Sequence, residues 1–287
     1  MANDLSSTLT ISTAVATLGD LLSDMSAYTL NVSSDSVEKA STINVPVIDT
    51  DDVARDWDAS NGYTASSNSA VTSLGVSVAE RIKVFKISDS AYNTSPLTLQ
   101  SYVQQNANEF GRYLQNIIFK AIDANSSVTK TALAESSLTL AKVKDLASAL
   151  DSAGGSMDRH LIISPSAHTS LLPATAETFG QNVIEQGRFS SLYGLNMHPS
   201  TGQTSGSGKT HSFACSKNSI VVVNRLPSIQ STSNLEEYTP FEIEGLGIQC
   251  AFRRFYDVTT GIHYGAFTTM FGCGIAVPAQ VSAYKRT

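Results

Sequence analysis

Apolar residues recur at intervals of three and four between Val103 and Ile122: Val103, Ala107, Phe110, Leu114, Ile117, Ile118, Ala121 and Ile122. That period predicts one amphipathic helix. Ser95-Pro96 supplies its start, a capping hydroxyl followed by a proline whose missing N–H costs nothing in the first turn. The helix runs to about Asn125, a strut of roughly 40 Å at ~1.5 Å per residue. Gly111 is a mild defect within it.

Upstream the pattern is weaker. Residues 1–40 carry a loose helical stripe of Leu9, Ile11, Val15, Leu18, Leu21 and Leu22, diluted by Ser and Thr. Such a segment can pack on a surface but does not fold alone, so it reads as an arm. Residues 41–95 change period. Ile43, Val45 and Val47 alternate, and Pro46 among them implies an edge strand. A carboxylate-rich stretch from Asp49 to Asp58, then Asn61-Gly62 and a polar run to Ser69, predict a loop tip. Val76, Val78, Ile82, Val84, Phe85 and Ile87 follow as a second extended segment. The sum is a long hairpin with a wide tip. A lone two-stranded hairpin is marginal in water, so this one has to lie on something else.

From Thr139 the pattern becomes α/β. Leu140, Val143, Leu146, Ala147 and Leu150 predict a short helix that Gly154-Gly155 ends. Leu161-Ile162-Ile163 predicts a buried strand, and Ser164-Pro165 caps a helix to about Leu172. Residues 174–200 look irregular, with Gly180, Gly187 and Gly194 as punctuation, and 201–210 form a Gly/Ser/Thr loop. Ile220-Val221-Val222-Val223 predicts a central strand. Short strands then dominate over 247–255, 261–270 and 274–284.

Composition narrows the classes. The chain has 287 residues, 41% of them hydrophobic, enough for one large or two modest domains with a buried core. Charged residues make up 15%, below the ~25% usual for a soluble domain. The net charge of −6 argues against a nucleic-acid reader with a basic face. No run of ~18 apolar residues is present to span a bilayer. The start MANDLSSTLT places an acidic residue where a signal peptide needs a positive one, so secretion is not expected. Cys215, Cys250 and Cys273 are far apart and have no metal spacing, which predicts three reduced thiols.

Several motifs invite a chemical reading, and each fails on spacing. Gly206-Ser207-Gly208-Lys209-Thr210 has the end of a phosphate-binding loop, but position 203 is Gln where the first Gly is required. The segment before it, Asn196-Met197-His198-Pro199, is a poor buried strand, and the segment after it leads to a strand rather than a helix. It is read as a mobile loop. Asp49, Asp51, Asp52, Asp56 and Asp58 lack the Gly and Glu of a helix–loop–helix calcium site, which would fall at Ala54 and Ser60. His160, His168, His198, His211 and His263 are scattered, with no metal-binding spacing. Arg253-Arg254 beside Tyr256 is read as surface salt bridges rather than a phosphate contact. No catalytic, cofactor-binding or metal-binding residue is selected, so neither an enzyme nor a cofactor is expected. What remains is geometry, in which the arm and the hairpin cannot bury themselves within one subunit. That points to an assembly protein whose cores are completed by neighbours.

The order of segments resembles the major capsid proteins of tailed phages, the Hong Kong 97-type fold. Ser95-Pro96 and the helix to Asn125 match the junction of hairpin and spine helix in that family. Arg159 to Pro165 with Leu171-Leu172 is similar to its strand–Ser-Pro–helix step. Gly187-Arg188-Phe189 and Leu192-Tyr193-Gly194-Leu195 resemble its Gly-rich turn before a strand. Phe213-Ala214-Cys215 with Ser219 to Val222 resembles the next strand pair, and 252–257 and 272–277 the closing strands.

The resemblance implies an α+β chain with an N-terminal arm (1–40), an extended β-hairpin loop (41–95), a peripheral domain with a spine helix (96–137 and 240–287) and an α/β axial domain (138–239). It implies self-assembly through pentamers and hexamers into an icosahedral virion shell in the bacterial cytoplasm. The shell would enclose double-stranded DNA without sequence recognition and would involve no membrane. Because the chain starts directly at the arm, a separate scaffolding protein is expected, with a portal and a decoration protein as further partners. The same fold builds encapsulin-type nanocompartments, which is the alternative. A nucleotide hydrolase using Lys209 and a trimeric tail fibre are the rivals from other classes.

Overall fold

The computed structural model describes residues 7–32, 41–49, 70–88, 99–172, 191–228, 235–243 and 245–287. Its axis is helix α3 (Leu99–Ala124), 26 residues long as the periodicity predicts. The Ser95-Pro96 start lies outside the described residues. Val103, Ala107, Phe110, Leu114, Ile118 and Ile122 are all buried, and so is Phe119, which lies off the predicted stripe. The last two turns are therefore apolar on more than one side. They are wedged between two sheets, with Phe119 edge-on to Phe213 at 5.2 Å between ring centroids.

The first sheet runs in the order β1 (Thr29–Asn31), β10 (Ile220–Arg225), β13 (Ile262–Ile275), β12 (Ile248–Asp257) and β11 (Glu237–Ile243). Strand β4 (Ala79–Ser88) pairs with the opposite side of β13. The 14-residue β13 is the backbone of this sheet. Its first half pairs with β12 and its last half with β10, so three strands meet near Met270.

The second sheet runs β5 (Thr129–Ala132), β14 (Val281–Lys285), β9 (Thr210–Ser216), β6 (Arg159–Ile163), β8 (Leu195–Pro199) and β7 (Ser191–Leu192). Helices α4 (Leu140–Ser152) and α5 (Pro165–Leu171) cover one of its faces. The other face joins the main core around α3. Burial on both faces accounts for the unbroken apolar run Leu161-Ile162-Ile163. The predicted punctuation holds. The Ser164 hydroxyl accepts from the Ala167 N–H at 3.2 Å, and Gly154, at φ +64°, ends α4.

Four expectations need correction. The leading segment is not left without a home within its own chain. It forms α1 (Ser7–Leu22) and α2 (Met25–Tyr28), and Ala14, Leu18, Leu22 and Met25 lie in the main core. Gly111 is the reason they fit, since a Cβ there would meet Leu21 Cδ2 at 2.6 Å and Leu18 Cδ2 at 3.1 Å. What reads as a helix defect is the crossing point of α1 over α3. The second extended segment is two strands broken at Val78, β3 (Ala70–Ser77) in the hairpin and β4 in the first sheet. Asn196–Pro199 is a half-buried strand, parallel to β6, rather than irregular chain. The segment 274–284 is likewise two strands in different sheets, since β13 ends at Ile275 and the chain crosses to β14.

Candidate assembly surface

The hairpin is built by β2 (Thr42–Asp49) and β3, paired in register from Thr42↔Ser77 to Asp49↔Ala70. Eight residues per strand give a ribbon of about 26 Å at ~3.3 Å per residue. Among the described residues it is anchored at its root. Ile43, Val45, Val76 and Val78 pack on Val221 and Val223 of β10, forming a small separate core. Glycines in β13 make that crossing feasible. A Cβ on Gly272 would collide with the Ser77 carbonyl, and one on Gly274 would come within 2.9 Å of Val76 Cγ2. Along the ribbon Asn44, Pro46, Thr72, Ser73 and Gly75 are exposed. Neither outer edge pairs with another strand among the described residues. The Asp51–Asp58 carboxylates lie outside the described residues.

A second open surface lies on β4, an edge strand. Arg81, Lys83 and Phe85 are partly or fully covered, while the alternate positions face out. Ile82 is 51% and Val84 45% exposed. The flanking charges are paired, Lys83 with Glu109 and Glu80 with Arg253 at 3.1 Å. Arg254 pairs with Glu236 at 3.2 Å, so the Arg253-Arg254 dipeptide is held in salt bridges, as the sequence suggests.

The Lys209 loop is not a phosphate cradle. It leads into strand β9, so no helix N-terminus aims at it. It is also tied down rather than mobile. Asn116 Nδ2 donates to the Gly202 carbonyl at 2.7 Å and to the Thr204 hydroxyl at 2.9 Å. The Gly208 N–H donates to the Arg286 carbonyl at 2.8 Å, and the Arg286 N–H to that of Lys209 at 2.9 Å.

Of the histidines expected to be scattered, the fold brings two together. His160 Nδ1 lies 3.0 Å from His198 Nε2. The parallel pairing of β6 with β8 does this, and the misreading of 196–199 hid it. His211 is buried at Ser212 and Leu133, and the His263 ring lies tilted against Tyr256 at 4.5 Å between centroids. No group of three or more metal-ligating side chains occurs among the described residues. Burial pushes the Cys250 and Cys273 thiols up to about 12 and Cys215 higher still.

No family model and no curated protein matches the sequence. Solved structures do. A solved structure from Mycobacterium phage Che8 superposes with a TM-score of 0.59 at 13% identity, covering 86% of this chain and 85% of that one. The mature capsid of bacteriophage PhiM1 gives 0.56 at 13% identity, over 91% and 86%. A virus-like particle from Pyrococcus furiosus gives 0.56 at 12% identity, over 96% of both chains. The chain thus has an α+β fold of the tailed-phage major capsid kind. At such identities the likeness is one of fold.

Proposed function

We propose that this chain is the major capsid protein of a tailed phage, of the Hong Kong 97 type. The observation that carries the reading is the hairpin. Paired ribbon extends past its anchored root with both outer edges open among the described residues, on a fold shared with phage capsids. A monomer gains little from such a ribbon; a closed shell gains a contact per subunit. Each contact can be weak, because repetition around closed rings raises the effective concentration.

In this reading residues 1–40 are the arm and 41–95 the loop laid over a neighbour. Residues 96–137 and 240–287 form the peripheral domain, and 138–239 the axial domain. Pentamers and hexamers of one chain close around double-stranded DNA, with a separate scaffolding protein, a portal and a decoration protein as partners. The net charge of −6 suits a wall that contains DNA without gripping it. Basic substitutions on the inner face should therefore impair packaging, and normal packaging by such variants counts against this role for charge.

The second reading is a cellular compartment shell, supported by the match to the virus-like particle over 96% of both chains. Negative-stain microscopy of the purified chain, with and without a scaffold, tests both. Closed shells are expected. Nucleic acid inside shells from infected cells favours the phage, and a co-purifying cargo enzyme favours the compartment. A monodisperse monomer under all assembly conditions overturns both.

A further inference from the structure

The turn between α1 and α2 is tied to the second sheet through a line of polar groups. Asp24, in that turn, places Oδ1 3.2 Å from His198 Nδ1 on β8. His198 Nε2 is 3.0 Å from His160 Nδ1 on β6. His160 Nε2 is 3.0 Å from Asp158 Oδ1. Asp158 Oδ2 is 3.0 Å from Lys217 Nζ, in the turn after β9. Tyr28 of α2 roofs the pair, its ring 6.4 Å from His160 and 6.1 Å from His198. Cys215, opposite His160 on β9, is a further titratable neighbour, and its buried thiol stays neutral.

Counting protons shows what this line can hold. Two imidazoles have four ring nitrogens. Donation from His198 Nδ1 to Asp24 leaves His198 Nε2 as an acceptor, and His160 Nδ1 donates to it. In a neutral pair arranged this way His160 Nε2, facing Asp158, carries no proton. One added proton can sit on that nitrogen. A second would set N–H against N–H at the central 3.0 Å contact, so the docked pair holds at most three protons of four.

We propose that His160 and His198 form an acid-released clasp that holds the α1–α2 turn on the β6–β8 edge. Once the turn lifts, both rings meet water and each takes its full complement of protons below its ordinary value of about 6.5. The released state then binds at least one proton more than the docked state, so acid favours release by linkage. Burial, followed by the neighbouring His198, holds His160 below its ordinary value in the docked state, which has the same sign. Lifting the turn also frees α1 from its crossing at Gly111. The clasp lies within one chain and does not depend on the shell reading.

Hydrogen exchange on the full-length chain tests this, with rates corrected for the intrinsic effect of pH and α4 amides as the internal reference. Protection over residues 10–31 is expected to fall about tenfold per pH unit between pH 6 and 5 while α4 stays protected. His198→Gln can still donate to Asp24 and accept from His160 but cannot charge, so its protection should fall clearly less steeply than in the wild type. Unchanged protection in the wild type, or equal loss in His198→Gln, overturns the clasp. If that variant does not fold, NMR titration of the wild-type imidazoles decides. Both rings taking a full proton near pH 6.5 with the segment still docked overturns it, and uptake of the last proton only on release supports it.

Discussion

Gly272 lies directly beneath the carbonyl of Ser77, so close that the side chain of any other residue would strike backbone. This contact sets the height at which the hairpin root crosses β13. Gly272→Ala has no flexible side chain to push aside and must lift the ribbon off Val221 and Val223. A loss of about 1–3 kcal/mol in chemical unfolding is expected, as for overpacked cores. Gly19, in α1, has nothing within 4 Å of its absent Cβ. Gly19→Ala should stabilise by about 0.5–1 kcal/mol through helix propensity alone. Opposite signs for the two glycines in one urea series check the assignment.

Asn224 is fully buried where β12 gives way to β10 along β13. Its amide donates to the carbonyls of Gln249 and Met270 and to the Thr269 hydroxyl, and its Oδ1 accepts from the Gln249 N–H. Asn224→Ala leaves that N–H buried and unpaired, at a cost of about 1–3 kcal/mol. Asn224→Asp keeps the acceptor but removes the donors and buries a charge, so its loss should be the larger. Thermal unfolding of the two variants ranks them.

Asp49 and Ala70 face each other at the last described pair of the hairpin. A two-residue Asn-Gly turn can therefore replace residues 50–69 without disturbing the register. None of the side chains in the described cores is removed, so unfolding free energy should stay within roughly 0.5 kcal/mol of the parent. In the proposed shell the shortened ribbon loses reach over its neighbour. Sedimentation and microscopy should show a folded protein that no longer closes shells.

Legibility in the sequence followed burial. The long helix, the Ser164 cap, the Gly154 stop and the β6 and β10 strands were readable because each carries an unbroken apolar signal or a capping residue whose chemistry is local. The strands β1 and β5 were not, since Thr29-Leu30-Asn31 and Thr129 to Ala132 are short and polar and owe their pairing to neighbours remote in sequence. Gly111 and Gly272 illustrate the same limit. A glycine's role in admitting another segment has no local signature. The first strand of the hairpin was legible from its alternation, whereas its second strand was read too far downstream and the docking of α1 was missed, because Ala14 and Gly111 are too small to register as an apolar stripe. The His160–His198 contact required the β6–β8 pairing to be known first.

Stability as a whole should decline with acid in two stages, with signs set by different groups. Burial holds His160 and His211 below their ordinary value of 6.5, so the folded chain binds fewer protons than the unfolded one. Their contribution is fully present above pH 6.5 and is lost as pH falls below it. For Asp158, the hydrogen bond from Lys217 outweighs the opposing effect of burial and lowers the carboxyl from its ordinary 3.8. For Glu135, burial works upward, but Ser166 and Arg286 together bring it below 4.5. Those contributions persist through the histidine stage and are lost only as pH falls below about 4.5. Urea midpoints between pH 8 and 3 should therefore step down first below pH 6.5 and again below pH 4.5. In His211→Gln the amide can still donate to the Leu133 carbonyl that His211 Nε2 meets at 3.0 Å. That variant should shrink the upper step to the part His160 supplies and leave the lower one in place, whereas an unchanged upper step would assign the histidine-range loss to other groups.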